Sequence, residues 1–127
     1  MNSTNASLIY RQADIQSRVE SASSTELITL LLDSALTRID RAKIHIERGE
    51  IAKKGEVIGG IIDIVASLDS YLDHDKGGDV SKTLESLYDF AVRRLYEANL
   101  KSDVSLLDEV SLLLGEVRAG WVQATKE

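Results

Sequence analysis

The chain has 127 residues, with 15 lysines and arginines against 21 aspartates and glutamates, a net charge of −6, and neither cysteine nor proline. That length is one domain with room for a hydrophobic core, and a 43% apolar fraction is too high for a disordered acidic tail. The charge opposes a main role in gripping nucleic-acid phosphates or an anionic membrane, and no segment reverses it: residues 1–50 carry 6 basic and 7 acidic groups, 51–100 carry 6 and 9, and 101–127 carry 3 and 5.

Without cysteine there is no disulfide, thiolate metal site or cysteine nucleophile. Without proline, glycine is the remaining strong punctuation, and a mostly helical chain is expected. Met1 to Tyr10 has neither the basic region nor the apolar run of a signal peptide. No apolar stretch approaches the ~20 residues of a membrane span, so a cytoplasmic protein without membrane insertion is expected.

The first helix candidate is short and loose, with Leu8, Ile9, Tyr10, Ile15 and Val19 in a polar background. Ser23-Ser24-Thr25-Glu26 fits a capping box, Ser23 as N-cap and Glu26 reaching back, with Ala22 and Leu27 as a weak hydrophobic staple. The first long helix is then predicted over about Ser24–Arg48, carrying Leu27, Ile28, Leu31, Leu32, Ala35, Leu36, Ile39, Ala42 and Ile46, and ended by Gly49. The second runs from about Ile51 to Leu72, where a 3–4 spacing of Val57, Ile58, Ile61, Ile62, Ile64, Val65 and Leu68 outweighs their β-branching. Gly59-Gly60 within it marks either close helix packing or a weak point that adjusts to a partner.

Residues Asp73–Asp79 read as a loop whose glycines permit left-handed geometry. Its aspartates imitate a calcium loop, but Gly77 and Leu84 stand where the third acidic ligand and the bidentate glutamate belong. The third long helix is predicted over Val80–Lys101, with Leu84, Leu87, Tyr88, Ala91, Val92, Leu95 and Ala98 on one face. After a turn at Ser102-Asp103, the fourth carries Leu106, Leu107, Val110, Leu113, Leu114, Val117 and Trp121. The expected fold is all-α, an antiparallel up-down four-helix bundle (residues 23–127) with a short extra N-terminal helix in residues 1–22, forming a single domain.

At ~100° per residue the apolar stripes of the third and fourth long helices span about 140° and 120°, whereas those of the first two span about 180°. The surplus lies at Leu27 and Leu36 on the first, and at Ile58, Ile62, Ile64 and Tyr71 on the second. Three covers are open: the N-terminal helix, a second copy in a homodimer, or the amphipathic segment of a partner. The first and last coexist if the N-terminal segment covers a groove until a partner displaces it.

Catalytic constellations are lacking. His45 and His74 belong to no Glu-x-x-His pair, no Gly-x-Ser-x-Gly elbow or phosphate loop occurs, and Arg93-Arg94 reads as an ion-paired face. No enzyme and no cofactor are expected.

Several short motifs nevertheless stand in a specific order. Tyr10 precedes Ser21-Ala22-Ser23 and Glu26-Leu27-Ile28; then come Leu31-Leu32-Asp33-Ser34-Ala35, Gly49-Glu50-Ile51, Lys54-Gly55-Glu56 and Leu68-Asp69. Gly77-Gly78-Asp79, Leu84-x-x-Leu87-Tyr88-Asp89-Phe90, Arg93-Arg94-Leu95, Ala98-Asn99, Glu109-Val110-x-x-Leu113-Leu114 and Trp121 complete the series. From Tyr10 to Trp121 this resembles the FliS family of flagellar export chaperones. Ser24 departs from the family's proline, Leu32 from a common aromatic and Ser34 from a glycine.

The resemblance implies a cytoplasmic four-helix bundle that holds the disordered C-terminal segment of flagellin, prevents premature polymerisation and aids delivery to the export-gate component of the flagellar secretion apparatus. It carries over Tyr10 as a contact residue. Face geometry adds Ile9, Leu27, Leu31, Ile58, Ile62 and Val65 as an apolar contact set, each with plain core packing as its alternative. Asp33 and Arg94 are expected to orient the partner by polar contacts. A helical adaptor for a different client, or a protein that dimerises through the surplus surface, stays open.

Overall fold

The computed structural model describes residues 24–126. The predicted N-terminal helix, Ile9, Tyr10 and the Ser23 cap lie outside them. Four helices follow in order: α1 (Ser24–Glu47), α2 (Ile51–Ser70), α3 (His74–Lys101) and α4 (Val104–Thr125). Each packs on its neighbours in sequence, and α4 closes the ring against α1. Residues later on α1 pair with residues earlier on α4, Thr25 with Trp121, Asp33 with Arg118 and Lys43 with Asp108, which is antiparallel register. The expected all-α, up-down four-helix bundle is what the chain forms.

The core draws four residues from each helix at helical spacing: Leu32, Ala35, Ile39 and Ala42; Ile58, Ile61, Val65 and Leu68; Tyr88, Ala91, Leu95 and Ala98; Leu106, Leu107, Val110 and Leu114. The alanines of α1 and α3 stand among the larger side chains of α2 and α4, so large and small volumes interdigitate at interior density. At Gly60 a Cβ would come within 2.8 Å of the tip of the flexible Arg38 side chain, which can shift aside, and Gly59 has nothing within 4 Å, so neither glycine is required by close helix packing.

Two connections close one end of the bundle. Gly49, at φ +69, ends α1 with Gly49 N–H donating to Ile46 O (3.1 Å) and Glu50 N–H to His45 O (2.9 Å), a Schellman arrangement. At the other turn Ser102 takes a left-handed φ of 51°, and Asp103 caps α4 by accepting from Ser105 N–H at 2.9 Å. The buried Lys54 of α2 reaches across, its Nζ donating to Asn99 O at 2.9 Å and to Ser102 Oγ at 2.8 Å. A buried donor is thereby satisfied, and a carbonyl at the C-terminal end of α3 gains a cation-bearing partner.

The third helix departs from expectation. It starts at His74 rather than Val80, because Asp73 caps a first turn by accepting from Asp75 N–H (3.1 Å) and Lys76 N–H (3.0 Å). Gly78, at φ 51° and ψ −123°, then kinks the helix. That backbone region is open to glycine almost alone. Gly78→Ala is expected to lower stability by about 1–2 kcal/mol, a strain of ~1–3 kcal/mol partly offset by the alanine's stiffer unfolded chain. The urea midpoint measures it, and an unchanged midpoint would mean that the kink relaxes without strain.

Candidate functional site

Beyond Leu114, the last buried residue of α4, that helix continues to Thr125, while α2 has ended at Ser70. At this end α3 and α4 therefore run on with apolar side chains that the other described residues cover incompletely. The result is a groove of about 980 Å³. Its walls are Val80, Leu84, Leu87 and Phe90 of α3 and Leu112, Leu113, Val117 and Trp121 of α4, with Ile28 of α1 and Leu68, Tyr71 and Leu72 at the end of α2. Polar groups are confined to a few positions, among them Asp73, Lys76, Glu109 and Glu116. Leu112 is 68% exposed, and Val80 and Tyr71 are also exposed, so a sizeable apolar surface faces solvent. Trp121 fixes one corner, its indole N–H donating to Thr25 O at 3.1 Å, which sets the first turn of α1 at the rim of the groove.

Arg94 stands behind one wall. Its guanidinium lies 5.0 Å from the centre of the Phe90 ring and bonds Glu97 Oε2 at 3.0 Å, while its Nε is buried without a hydrogen bond among the described residues, 3.9 Å from Glu109 Oε1. Lys101 and Arg94 together hold the Glu97 carboxyl below the usual carboxylate range. Arg94 thus braces Phe90 and Glu109, which both line the groove.

The other residues expected from the sequence fall elsewhere. Ile58 and Val65 are wholly buried in the core, each at the centre of the apolar stripe of α2, in keeping with the core-packing alternative given for them; Val65 also borders a small furrow beside α3. Leu31 and Ile62 are partly buried and pack against the core, and Leu27 is half-buried on the first turn of α1. None of the three lines the groove. Asp33 pairs with Arg118 of α4, with Arg118 Nε donating to Oδ1 and Nη2 lying 3.5 Å from Oδ2. That bond raises the Arg118 pKa and clips the α1–α4 seam.

The surplus apolar surface therefore lies mainly on α3 and α4, not on α1 and α2 as the stripe widths indicate. Leu112 is the signal that was available, since it falls outside the fourth helix's own core stripe. No strand, no metal-ligand cluster and no helix long and apolar enough to cross a membrane occurs among the described residues.

The described residues thus form a four-helix bundle with one long apolar groove and a sparse polar rim. Residues 6–127 match the profile of the family described as flagellar protein FliS. The chain is 43% identical over 112 residues to flagellar secretion chaperone FliSB of Pseudomonas aeruginosa, covering 88% of this chain and 89% of that one. It is 38% identical over 115 residues to flagellar secretion chaperone FliS of Salmonella typhimurium, covering 90% and 85%. A solved structure of a bacterial flagellar chaperone superposes with a TM-score of 0.76 over 94% of this chain and 98% of its own, at 14% identity, which speaks for the fold. The chain belongs to the FliS family of flagellar secretion chaperones, a family without enzymatic activity.

Proposed function

We propose that the α3/α4 groove holds the disordered C-terminal segment of flagellin as an amphipathic helix, in the cytoplasm, and keeps it from polymerising until delivery to the export gate. The observation that carries this reading is the groove itself: about 980 Å³, walled by leucines and aromatics from two antiparallel helices. Such a surface takes side chains spaced i, i+3, i+4, i+7. A segment that folds as it binds needs a large apolar contact to offset its ordering entropy.

Ile9 and Tyr10 belong to the segment that joins the bundle at Ser24, and α1 begins at the groove rim. In this reading they cover the groove in the free protein and yield to the client. Arg94 orients the client by holding Phe90 and Glu109. Leu27, Leu31, Asp33 and Ile62 make contact where the client runs past the groove onto α1 and α2.

Calorimetric titration with the C-terminal segment of flagellin from the same source tests the proposal. Stoichiometric binding with a strongly negative heat-capacity change is expected. Absence of binding at high micromolar concentration would assign the groove to another client or, if sedimentation shows concentration-dependent association, to a second copy.

A further inference from the structure

On the other flank of α3, away from the groove wall of Leu84, Leu87 and Phe90, a second and smaller furrow of about 420 Å³ runs between α2 and α3. Its floor is apolar, with Ala66 and Val92, and one end is acidic, with Asp69 from α2 and Glu85 and Asp89 from α3. Tyr88 lines both this furrow and the α3/α4 groove, with a side chain only 4% exposed.

Helix register extends this furrow. Gly55 faces Asn99, and Lys54 bonds Asn99 and Ser102, so the start of α2 runs beside the end of α3. There the exposed apolar residues are Ile51 (70%), Tyr96 (61%) and Leu100 (85%). Between the two ends lies Gly59, where a Cβ would meet nothing within 4 Å and the backbone of α2 is open to close approach. From Ile51 to Asp69 the surface measures about 27 Å at the ~1.5 Å rise of a helix, the length of a helix of about 18 residues. One end is apolar and the other acidic.

The acids are not committed to strong internal pairs. Glu85 meets His74 at 2.9 Å and Asp89 meets Arg93 at 3.2 Å, all four groups well exposed, and Asp69 has no ion pair among the described residues. Pairs of that kind exchange readily for an incoming cation. A second copy of this chain is a poor occupant, because its net charge is −6 and the stretches 1–50, 51–100 and 101–127 are each net acidic.

We propose that the α2/α3 furrow is a second docking surface for an amphipathic helix of a different protein, one that carries lysine or arginine at the end lying over Asp69, Glu85 and Asp89. Apolar side chains of that helix rest on Tyr96 and Leu100, its backbone approaches α2 at Gly59, and a cationic side chain reaches the acidic end beside the Tyr88 hydroxyl. The furrow opens on a different flank of α3 from the client groove, with Tyr88 lining both.

The test uses the full isotope-labelled chain and two synthetic 18-residue helical peptides with the same leucine and alanine stripe. One ends in three lysines and the other in three glutamates. The lysine peptide is expected to shift the amides of Gly59, Ala66, Asp69, Asp89 and Tyr96, and the glutamate peptide to leave them in place. Combining Asp69→Asn, Glu85→Gln and Asp89→Asn should weaken binding about tenfold, as should a rise in salt. Gly59→Gln exchanges a helical glycine for a better helix former, which keeps the bundle folded, and should block the furrow. Shifts confined to the α3/α4 groove, equal binding of the two peptides at the furrow, no binding by either, or indifference to both variants would overturn the proposal.

Discussion

Leu112→Asp is expected to weaken client binding at least ~30-fold, about 2 kcal/mol or more, while leaving the melting temperature almost unchanged. The asymmetry follows from where Leu112 stands. It lines the groove and is 68% exposed in the free protein, so folding buries little of it. An aspartate there stays hydrated until a client arrives, and a client's apolar face would then have to desolvate a carboxylate with no counter-charge. Titration of the flagellin C-terminal segment against the variant, paired with thermal unfolding, gives both numbers. Unchanged affinity would place the client elsewhere on the bundle.

Ile58→Ala is the counterpart, with its large effect on folding. Removing three carbons from a wholly buried site among the four helices is expected to cost about 2–5 kcal/mol, because the lost transfer energy adds to that of an unfilled cavity. Ile62→Ala, one position along the chain from the buried Ile61 and only partly buried, should cost under about 1.5 kcal/mol. Urea unfolding of the two variants decides the matter. Were Ile58→Ala to fold as well as the parent yet lose client affinity, Ile58 would be a contact residue after all.

That pair of isoleucines also marks the limit of reading a site from sequence. Helix positions came through closely: α1 ends at Glu47 against an expected Arg48, α2 starts at Ile51 as expected, and Ser102-Asp103 is the turn before α4. Periodicity and glycine placement carry that information locally. A stripe about 180° wide says that a helix has more apolar surface than one neighbour covers. It does not say which part of the stripe faces the bundle axis, and Ile58 and Val65 proved to be its centre.

The groove was illegible for a related reason. Leu84, Leu87 and Phe90 fit an ordinary core pattern on α3, as Leu113, Val117 and Trp121 do on α4. They line a groove only because α2 stops at Ser70 and α4 does not stop at Leu114. That is a fact about relative helix lengths in three dimensions. The early start of α3 was missed because Asp73 supplies its cap ahead of two glycines, a place where a loop is the ordinary reading. The family motifs did contain Leu84, Leu87, Phe90, Leu113 and Trp121, so the resemblance held the site more fully than the periodicity did.

Lys54, with its bonds to Asn99 and Ser102, ties the start of α2 to the turn between α3 and α4 at the closed end of the bundle. The opposite end holds the α2–α3 connection, the groove, and both Ser24 and Lys126. For anyone engineering the protein, this makes the two ends unequal. A fluorescent protein or affinity tag placed close before Ser24 or close after Lys126 sits at the mouth of the groove and competes for it through its own high local concentration. The turns at Gly49–Glu50 and Ser102–Asp103 lie about a helix length away, and the first of them, free of the Lys54 clamp, is the place to attach a reporter that leaves the mouth clear.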